Sequence, residues 1–242
     1  MASQDSVIIA GGGPVGVVTA LALAQKGIAV RVYEAGDQVN AAPRASTLHP
    51  ATLEMLASLG LLNEVIARGL VARTFQFWDR PSGSMVAEFD HAILKEDTPH
   101  PFVIQCEQHK LALSEIERLS AIPHAEVHFS ARVHSVDQTA YGVSVTIDRD
   151  GEQEIVTGEY LLGADGGRST VRKALNIEFE GYTFPERFLV LTTPFDFEKQ
   201  PGAGYRSYFS DPDEWCNLFK VAGEDGSGLW RVVMPTVPGE AE

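Results

Sequence analysis

The chain has 242 residues, of which 44% are hydrophobic and 21% charged, so it can bury one substantial core, and intrinsic disorder has little support. Its 33 acidic and 19 basic residues give a formal net charge of -14, which excludes nucleic acid and anionic membranes as main partners. Cys106 and Cys216 belong to no metal-ligand or disulfide pattern and no apolar run reaches the length of a membrane span, so we expect an untargeted, soluble, cytoplasmic protein without a metal site.

The N-terminal region predicts a strand, a glycine turn, a helix and a second strand. Ser6 to Ala10 is a β-branched run, Val15 to Lys26 has helical apolar spacing, and Ile28 to Glu34 alternates as a strand. The turn between the first strand and the helix reads Gly11-Gly12-Gly13-Pro14-Val15-Gly16 and fits G-x-G-x-x-G. In this context the motif predicts a βαβ unit that binds a dinucleotide.

Each glycine of the G-x-G-x-x-G pattern has a predicted task. Gly11 permits the tight turn, Gly13 lets the backbone approach a pyrophosphate, and Gly16 lets the helix pack on the strand, while the helix N-terminus faces the phosphates. Glu34, 23 residues after Gly11, is placed to accept hydrogen bonds from ribose hydroxyls, which favours FAD or NAD over NADP in this site. The alternative is an ordinary glycine turn with a surface glutamate.

The rest of the chain predicts further helices and two regions of strands. We expect a helix pair at Pro50 to Arg68 and helices at Gln108 to Leu119 and Ser169 to Leu175. Beyond Phe184 the chain predicts an aromatic sheet. The other predicted strands are a hairpin, Val71 to Asp79 with Ser84 to Asp90, and a meander, Val127 to Val136, Val143 to Asp148, Glu154 to Thr157 and Tyr160 to Gly163.

Four segments in this order resemble the FAD-dependent aromatic-ring hydroxylases, class A flavoprotein monooxygenases typified by 4-hydroxybenzoate and 3-(3-hydroxyphenyl)propionate hydroxylases. They are GGGPVG, Glu34, the run PRASTLHPATLEMLASLGL from Pro43 to Leu61, and GADGGRSTVRKAL from Gly163 to Leu175. The glycine motif is shared by many dinucleotide enzymes, whereas the last two segments are much more specific to this class. The resemblance covers the whole chain.

This resemblance implies an α/β fold made of two interwoven domains. A Rossmann-like FAD-binding domain, a βαβ unit with a β-meander as in glutathione reductase, is expected at residues 1–70 and 98–180. A mixed β-sheet substrate domain is expected at residues 71–97 and 181–242. The class also carries a later Gly-Asp motif followed by Ala-Ala-His, which this sequence lacks, so the fold is expected to be incomplete at the C-terminus. A truncated product and a fragment completed by a partner chain are the two explanations.

The resemblance also carries cofactor-binding residues onto this chain. Arg44 lies in the loop after the second strand and is expected to contact the FAD pyrophosphate, whose oxygens a guanidinium can bridge. Gln108, or alternatively Gln105, is expected near the ribityl and phosphate groups. The complete predicted cofactor-binding set is Gly11, Gly13, Pro14, Val15, Gly16, Glu34, Ala35, Arg44, Ala45, Gln108, Val133, Asp165 and Gly166.

The Asp165-Gly166 element is implied to serve both FAD binding and NAD(P)H use. Ser169 is expected to cap the helix that follows. Arg172 and its neighbours Arg168 and Lys173 form a basic cluster that is expected to meet a nicotinamide dinucleotide. The alternative is a capped turn with solvated charges.

For the activity, the resemblance implies that NADH or NADPH reduces FAD and that oxygen then forms a flavin C4a-hydroperoxide, which hydroxylates a phenolic or other aromatic substrate. No catalytic acid or base is predicted, because the histidines are scattered and no metal or nucleophile motif is present. Tyr208 and Trp215 are predicted to line the substrate pocket, with a core position as the alternative.

The expected partners are a small aromatic substrate and O2, together with a homodimer or a partner chain that completes the fold. Two other functions stay open. One is a flavin-dependent reductase or halogenase of similar fold. The other is an FAD- or ADP-binding fragment without turnover.

Overall fold

The computed structural model describes residues 6–42, 44–199 and 201–236. The helices are α1 (Pro14–Ala24), α2 (Pro50–Ser58), α3 (Leu62–Arg68), α4 (Gln108–Ser120) and α5 (Thr170–Ala174), with a short 3-10 helix at His91–Leu94. The strands are β1 (Ser6–Ala10), β2 (Ala29–Tyr33), β3 (Thr47–Leu48), β4 (Leu70–Ala72), β5 (Thr74–Asp79), β6 (Ser84–Asp90), β7 (Val103–Gln105), β8 (Ala125–His128), β9 (Arg132–Thr139), β10 (Gly142–Arg149), β11 (Glu152–Gly158), β12 (Tyr160–Gly163), β13 (Phe188–Thr193), β14 (Arg206–Ser210), β15 (Cys216–Val221) and β16 (Leu229–Pro235).

The chain divides into two compact units, and each unit takes two separate stretches of sequence. Within the described part, the first unit comprises residues 6–42 and 108–181, and the second comprises residues 44–107 and 182–236. The α/β fold class and the interwoven order of the two regions are therefore as predicted.

The unit boundaries differ from the predicted domain boundaries. Residues 44–70 and 98–107 were predicted with the FAD-binding domain, whereas both stretches lie in the second unit. The physical reason is pairing: β7 lies between β3 and β4 in a small antiparallel sheet, which joins these two stretches. The backbone N–H of Gly223 also donates to Glu107, at 3.2 Å, within the same unit.

A four-stranded parallel sheet with the order β12-β1-β2-β8 is the centre of the first unit. The predicted βαβ unit is confirmed, with β1 at the predicted residues and α1 ending at Ala24, two residues earlier than predicted. Val17, Ala20, Leu21 and Ala24 of α1 are buried, and this i, i+3, i+4, i+7 spacing gives the helix a single buried stripe. α1 packs with α4 and with β2.

The meander β9-β10-β11 forms a separate antiparallel sheet in the first unit. Its residues pack against β1, β2 and α5 in one core. The buried members of that core are Ile8, Ala10, Tyr33, Ala131, Val133, Val143, Val145, Ile147 and Val171.

Two strand predictions for this region were wrong. The predicted strand from Val127 to Val136 is two strands, because Ser130 has a φ of +50°, which ends β8, and the chain then enters another sheet. The strand at Tyr160–Gly163 leaves the meander and pairs in parallel with β1. The pairing of strands depends on contacts between residues far apart in the chain. The local alternation of apolar and polar residues does not reveal which strands pair.

The second unit is built on a six-stranded sheet with the order β13-β16-β15-β14-β5-β6. The predicted hairpin and the predicted aromatic sheet are therefore one sheet, in which β14 and β5 pair in parallel and the other neighbours are antiparallel. One face carries a buried core, consisting of Trp78, Ala203, Phe209, Leu218, Trp230 and Val232. We call the opposite face the arginine face. Its residues include Phe75, Phe77, Arg206, Tyr208, Phe219 and Arg231.

Candidate functional site

The turn between β1 and α1 is packed so closely that two of its glycines cannot carry a side chain. Gly11 has a φ of +103°, and a Cβ added to it would lie 2.4 Å from the carbonyl oxygen of Ala164. A Cβ on Gly16 would lie 1.9 Å from the carbonyl oxygen of Gly11. These contacts give the physical reason for glycine at both positions: a tight turn at Gly11 and close packing of α1 at Gly16.

Gly13 has a different environment, because a Cβ added there would meet no atom within 4 Å. Gly13 is the N-cap residue of α1, no side chain caps the helix, and its first turn carries no acidic residue. Pro14 has no N–H to satisfy, and the amides of Val15 and Gly16 have no helical acceptor at this end of the helix. An open helix N-terminus with free amides suits a phosphate group.

The Glu34 carboxylate joins the glycine turn to the loop that follows β2. Its Oε2 accepts from the backbone N–H of Gly12 at 2.7 Å, and its Oε1 accepts from the N–H of Gly36 at 2.8 Å. The Glu34 side chain is half-buried. Ala35, which lies between Glu34 and Gly36 in the chain, is also half-buried. Each oxygen retains a second lone pair, so the carboxylate can still accept a hydrogen bond from a sugar hydroxyl.

The two residues that precede β9 lie against the same loop. The N–H of Ser130 donates to the Gly36 carbonyl, and the N–H of Ala131 donates to the Glu34 carbonyl, both at 2.8 Å. Val133, predicted as a cofactor-binding residue, packs its side chain into the core of the first unit and is only 7% exposed. The Val133 side chain therefore belongs to the core, and only the Val133 backbone could contact a ligand.

The second glycine-rich loop lies beside the first. The N–H of Ala164 donates to the Ala10 carbonyl at 2.8 Å, and Ala164 is the residue that closes over Gly11. The structure thus brings together two motifs that are more than 150 positions apart in the printed sequence.

Asp165 organises this second loop through its carboxylate. It accepts hydrogen bonds from Ser169 Oγ at 2.5 Å, from the N–H of Thr170 at 2.6 Å and from the N–H of Val171 at 3.2 Å. Ser169 Oγ in turn accepts from the N–H of Arg172 at 2.9 Å, which confirms the predicted helix cap. Asp165 therefore holds the N-terminus of α5.

The basic residues of α5 are partly engaged within the loop itself. Arg172 donates to the Gly167 carbonyl at 2.9 Å, and its guanidinium lies 4.6 Å from the ring centroid of Phe179. Arg168 and Lys173 are exposed, and Gly166 adopts a φ of +79° at the surface. These contacts are those expected for a capped turn. Binding of a nicotinamide dinucleotide by the basic residues around α5 stays a prediction.

The two glutamines proposed for the start of α4 have distinct environments. Gln105 is fully buried, its Oε1 accepts from Thr47 Oγ1 at 2.7 Å, and its Nε2 donates to the Tyr205 carbonyl at 3.5 Å. These bonds give Gln105 a structural task in the second unit. Gln108 is half-buried at the first position of α4 in the first unit, and it remains the predicted cofactor residue of the two.

A cavity of about 220 Å³ lies on the arginine face of the second unit. The buried guanidinium of Arg231 donates to the Arg44 carbonyl at 2.7 Å and so ties the segment that follows residue 43 to the sheet. Burial lowers the pKa of Arg231, and the nearby Glu107 carboxylate opposes that shift. The cavity is lined by Arg44, Ala45, Ser46, Thr47, Val190, Phe219, Arg231 and Val233.

The two predicted substrate residues lie in different places. The Tyr208 ring is on the arginine face, stacked 5.2 Å from Phe77 and edge-on at 5.7 Å to Phe219, which lines the cavity. Trp215 lies just before β15 and packs 5.7 Å from Phe188, and it does not line the cavity. Their substrate roles stay predictions.

Sequence reasoning missed the two buried arginines, Arg206 and Arg231, which are 7% and 8% exposed. A usable signal was present. Arg231 interrupts the apolar strand LWRVVMP, and Arg206 begins a strand rich in aromatics. Burying a charged side chain in such a strand costs free energy, so its presence indicates a specific structural or binding role.

Two further observations concern the part of the chain that the structure describes. None of its helices is both long and apolar enough to span a membrane. Its His, Cys, Asp and Glu side chains also form no cluster of three or more that is suited to a metal ion.

The family model described as "FAD binding domain" matches residues 4–210. The chain is 32% identical to para-nitrophenol 4-monooxygenase of Pseudomonas sp. (strain WBC-3), over 96% of this chain and 56% of that protein. It is 37% identical to 6-hydroxy-3-succinoylpyridine 3-monooxygenase HspB of Pseudomonas putida (strain DSM 28022 / S16), over 99% of this chain and 61% of that protein.

A solved structure of similar shape is p-nitrophenol 4-monooxygenase PnpA from Pseudomonas putida DLL-E4. Its TM-score is 0.93 at 29% identity, over 100% of this chain and 60% of the solved chain. The chain thus spans about three fifths of the length of these relatives.

Proposed function

Because the chain belongs to the FAD-binding domain family, we propose that it acts as an FAD-dependent monooxygenase that uses NADH or NADPH to hydroxylate a phenolic or other aromatic substrate. The relatives at 32% and 37% identity are named as monooxygenases of para-nitrophenol and of a hydroxypyridine, which supports this class of substrate.

One observation carries the cofactor assignment: the N-terminus of α1 is open at Gly13, and the Glu34 carboxylate is fixed beside it. The free amides and the helix dipole suit the pyrophosphate of FAD. The two-point anchoring of Glu34 orients its remaining lone pairs for the adenosine ribose. The residues present therefore fit the group.

When bound, FAD supplies the redox chemistry, accepting reducing equivalents from the nicotinamide and activating oxygen for insertion into the ring. The chain's own residues bind the cofactor and orient it. Gly11 and Gly16 set the path of the turn, Ala164 packs the second glycine-rich loop against it, and Asp165 orders that second loop. Arg44, Ala45, Gln108 and Gly166 remain predicted contacts of the cofactor.

The direct test is to purify the full chain and measure flavin absorbance before and after incubation with FAD. We expect bound flavin, oxidation of NADH or NADPH that 4-nitrophenol accelerates, and a hydroxylated product. A protein that takes up no flavin contradicts the proposal. Nicotinamide oxidation without a hydroxylated product indicates a reductase, halide-dependent product indicates a halogenase, and flavin binding without turnover indicates a binding fragment.

Replacing Glu34 with glutamine is expected to weaken FAD binding about tenfold, because one of the two anchoring acceptors becomes an amide that faces a backbone N–H. The measurement is quenching of flavin fluorescence during titration. Asp37→Asn, a neutral exchange at an exposed acid of the same loop, is the matched control and should leave the affinity unchanged. Equal effects of the two variants contradict a specific role for Glu34.

A further inference from the structure

The two edge strands of the six-stranded sheet differ in how their free edges are protected. β6 carries the charged residues Glu88 and Asp90, and its pairing with β5 shifts register between Phe77 and Trp78. Charges and register shifts of this kind hinder pairing with a further strand. β13 reads FLVLTT and has no charge, no proline and no shift in its pairing with β16. Within the described part of the second unit only β16 pairs with β13, so the outer edge of β13 is an unprotected template for another strand.

The apolar side chains of β13 are exposed on both faces of the sheet. Consecutive strand residues point to opposite faces, and the four residues from Phe188 to Leu191 are each 40–45% exposed. On the neighbouring strand β16, Trp230 is 1% exposed and Val232 is 9% exposed. The burial of apolar side chains therefore falls sharply between β16 and β13.

One face of β13 continues the core of the second unit. Leu191 pairs with Val232 and Leu189 pairs with Met234, and cross-strand partners lie on the same face. Val232 belongs to the buried core, and the half-buried Met234 packs against it. Leu189 and Leu191 thus lie where the core reaches the edge of the sheet and opens to solvent.

The segment after β13 extends this apolar surface. Phe197 packs against the core, with its ring 5.5 Å from that of Trp230. Phe195 lies edge-on to Phe197 at 4.8 Å and is itself 54% exposed. We call the outer edge of β13, together with Leu189, Leu191 and Phe195, the β13 patch. An exposed apolar surface beside an open strand edge marks an interaction site or an aggregation hazard.

The relatives indicate what covers the β13 patch. The solved structure of PnpA matches 100% of this chain at a TM-score of 0.93, but the match covers only 60% of PnpA. The match to HspB likewise covers 61% of that protein. These relatives therefore carry about two fifths of their length in addition to the part that this chain matches. A polypeptide of that size can supply both a strand for the edge of β13 and apolar side chains for its faces.

We propose that the β13 patch binds the polypeptide that corresponds to the remaining two fifths of the relatives. A strand of that polypeptide pairs with the outer edge of β13, and its apolar side chains cover Leu189, Leu191 and Phe195. A second copy of this chain is a less suitable occupant, because each copy carries a net charge of -14 and like charges oppose association. The inference follows from the fold and not from the proposed activity, so its test requires no turnover.

The test titrates the purified full chain with the two fifths of HspB that it does not match. We expect a one-to-one complex by light scattering, in which the β13 amides exchange hydrogen at least tenfold more slowly than in the chain alone. Leu191→Lys, which places a charge on the open edge strand, should weaken the complex about tenfold or more. Phe195→Ser, which removes apolar surface outside the strand, should weaken it as well.

Val86→Lys is the matched control, because Val86 is an exposed apolar residue of β6, the other edge strand of the same sheet. It should leave the affinity unchanged. A folded HspB fragment that forms no complex overturns the proposal, as does a complex that Leu191→Lys and Phe195→Ser leave intact. A dimer of the chain alone that Leu191→Lys abolishes also overturns it, since a second copy is then the occupant.

A fusion keeps the proposal testable if the HspB fragment does not fold by itself or if both variants unfold, which thermal unfolding reports. The full chain is then joined to the HspB fragment through a flexible linker, so that binding becomes intramolecular. Protection of the β13 amides in this fusion supports the proposal. Amides of β13 that exchange in the fusion as fast as in the chain alone overturn it.

Discussion

Gly13→Ala is expected to give a folded protein that has lost about a hundredfold in FAD affinity, whereas Gly16→Ala is expected to damage the fold itself. A Cβ at Gly13 meets nothing in the protein, so alanine at this N-cap position costs only about 1 kcal/mol. The same Cβ projects into the space proposed for the pyrophosphate, where it would hold the phosphate away from the amides of α1.

At Gly16 the clash is within the protein, since the added Cβ would lie 1.9 Å from the Gly11 carbonyl oxygen. Relief requires α1 to move away from β1, and we expect the free energy of unfolding to fall by about 3 kcal/mol or more. Chemical denaturation measures the stability of both variants, and flavin titration measures their affinity. Full FAD affinity in a folded Gly13→Ala protein would contradict the placement of the pyrophosphate at the N-terminus of α1.

Asp165→Ala is expected to lower the free energy of unfolding by about 3 kcal/mol and to release α5 from its loop. The carboxylate accepts from Ser169, Thr170 and Val171, and hydrogen bonds to an ionised acceptor are worth roughly twice neutral ones. Denaturation with an unchanged m-value reports the loss of stability. Faster hydrogen exchange of the α5 amides would show that the loss of stability lies in this helix.

Two companion variants separate the structural task of Asp165 from a ligand contact. Ser169→Ala removes the cap to Arg172 and one of the three hydrogen bonds to Asp165, and it should cost about 1–2 kcal/mol. Asp165→Asn keeps one acceptor oxygen but removes the charge. A fall in FAD affinity that follows stability across these variants indicates an indirect role. A fall confined to the Asp165 variants, with Ser169→Ala unaffected, indicates contact with the cofactor.

The elements that sequence predicted well are those set by neighbouring residues. The β-branched run of β1, the buried stripe from Val17 to Ala24 and the cap at Ser169 each follow from a few adjacent side chains. The division of the strand at Ser130 and the departure of β12 from the meander depend on partners far away in the chain. The boundary between the compact units differs from the predicted domain boundary for the same reason, because β7 pairs with β3 and β4, which lie far before it in the chain.

For the candidate site, the residue types were predictable and their neighbours were not. The pattern around Gly11 and Glu34 indicates a dinucleotide site, but the anchoring of Glu34 by Gly12 and Gly36 is visible only in three dimensions. Arg206 is the clearest case. Its place in the sequence gives no sign that Phe219 is its cross-strand partner, or that Arg231 pairs with Phe219 in turn, since that depends on the register of three strands.

The pairing of β1 with β12 sets a condition on biosynthesis. β1 pairs with β2 on one side, but on the other side Val7 pairs with Tyr160, so β1 must wait for about 150 further residues before this second neighbour is synthesised. At translation rates of about 5–20 residues per second that delay is on the order of ten seconds, during which the apolar run at Ser6–Ala10 is partly unsheltered. Pairings between such distant segments also slow folding.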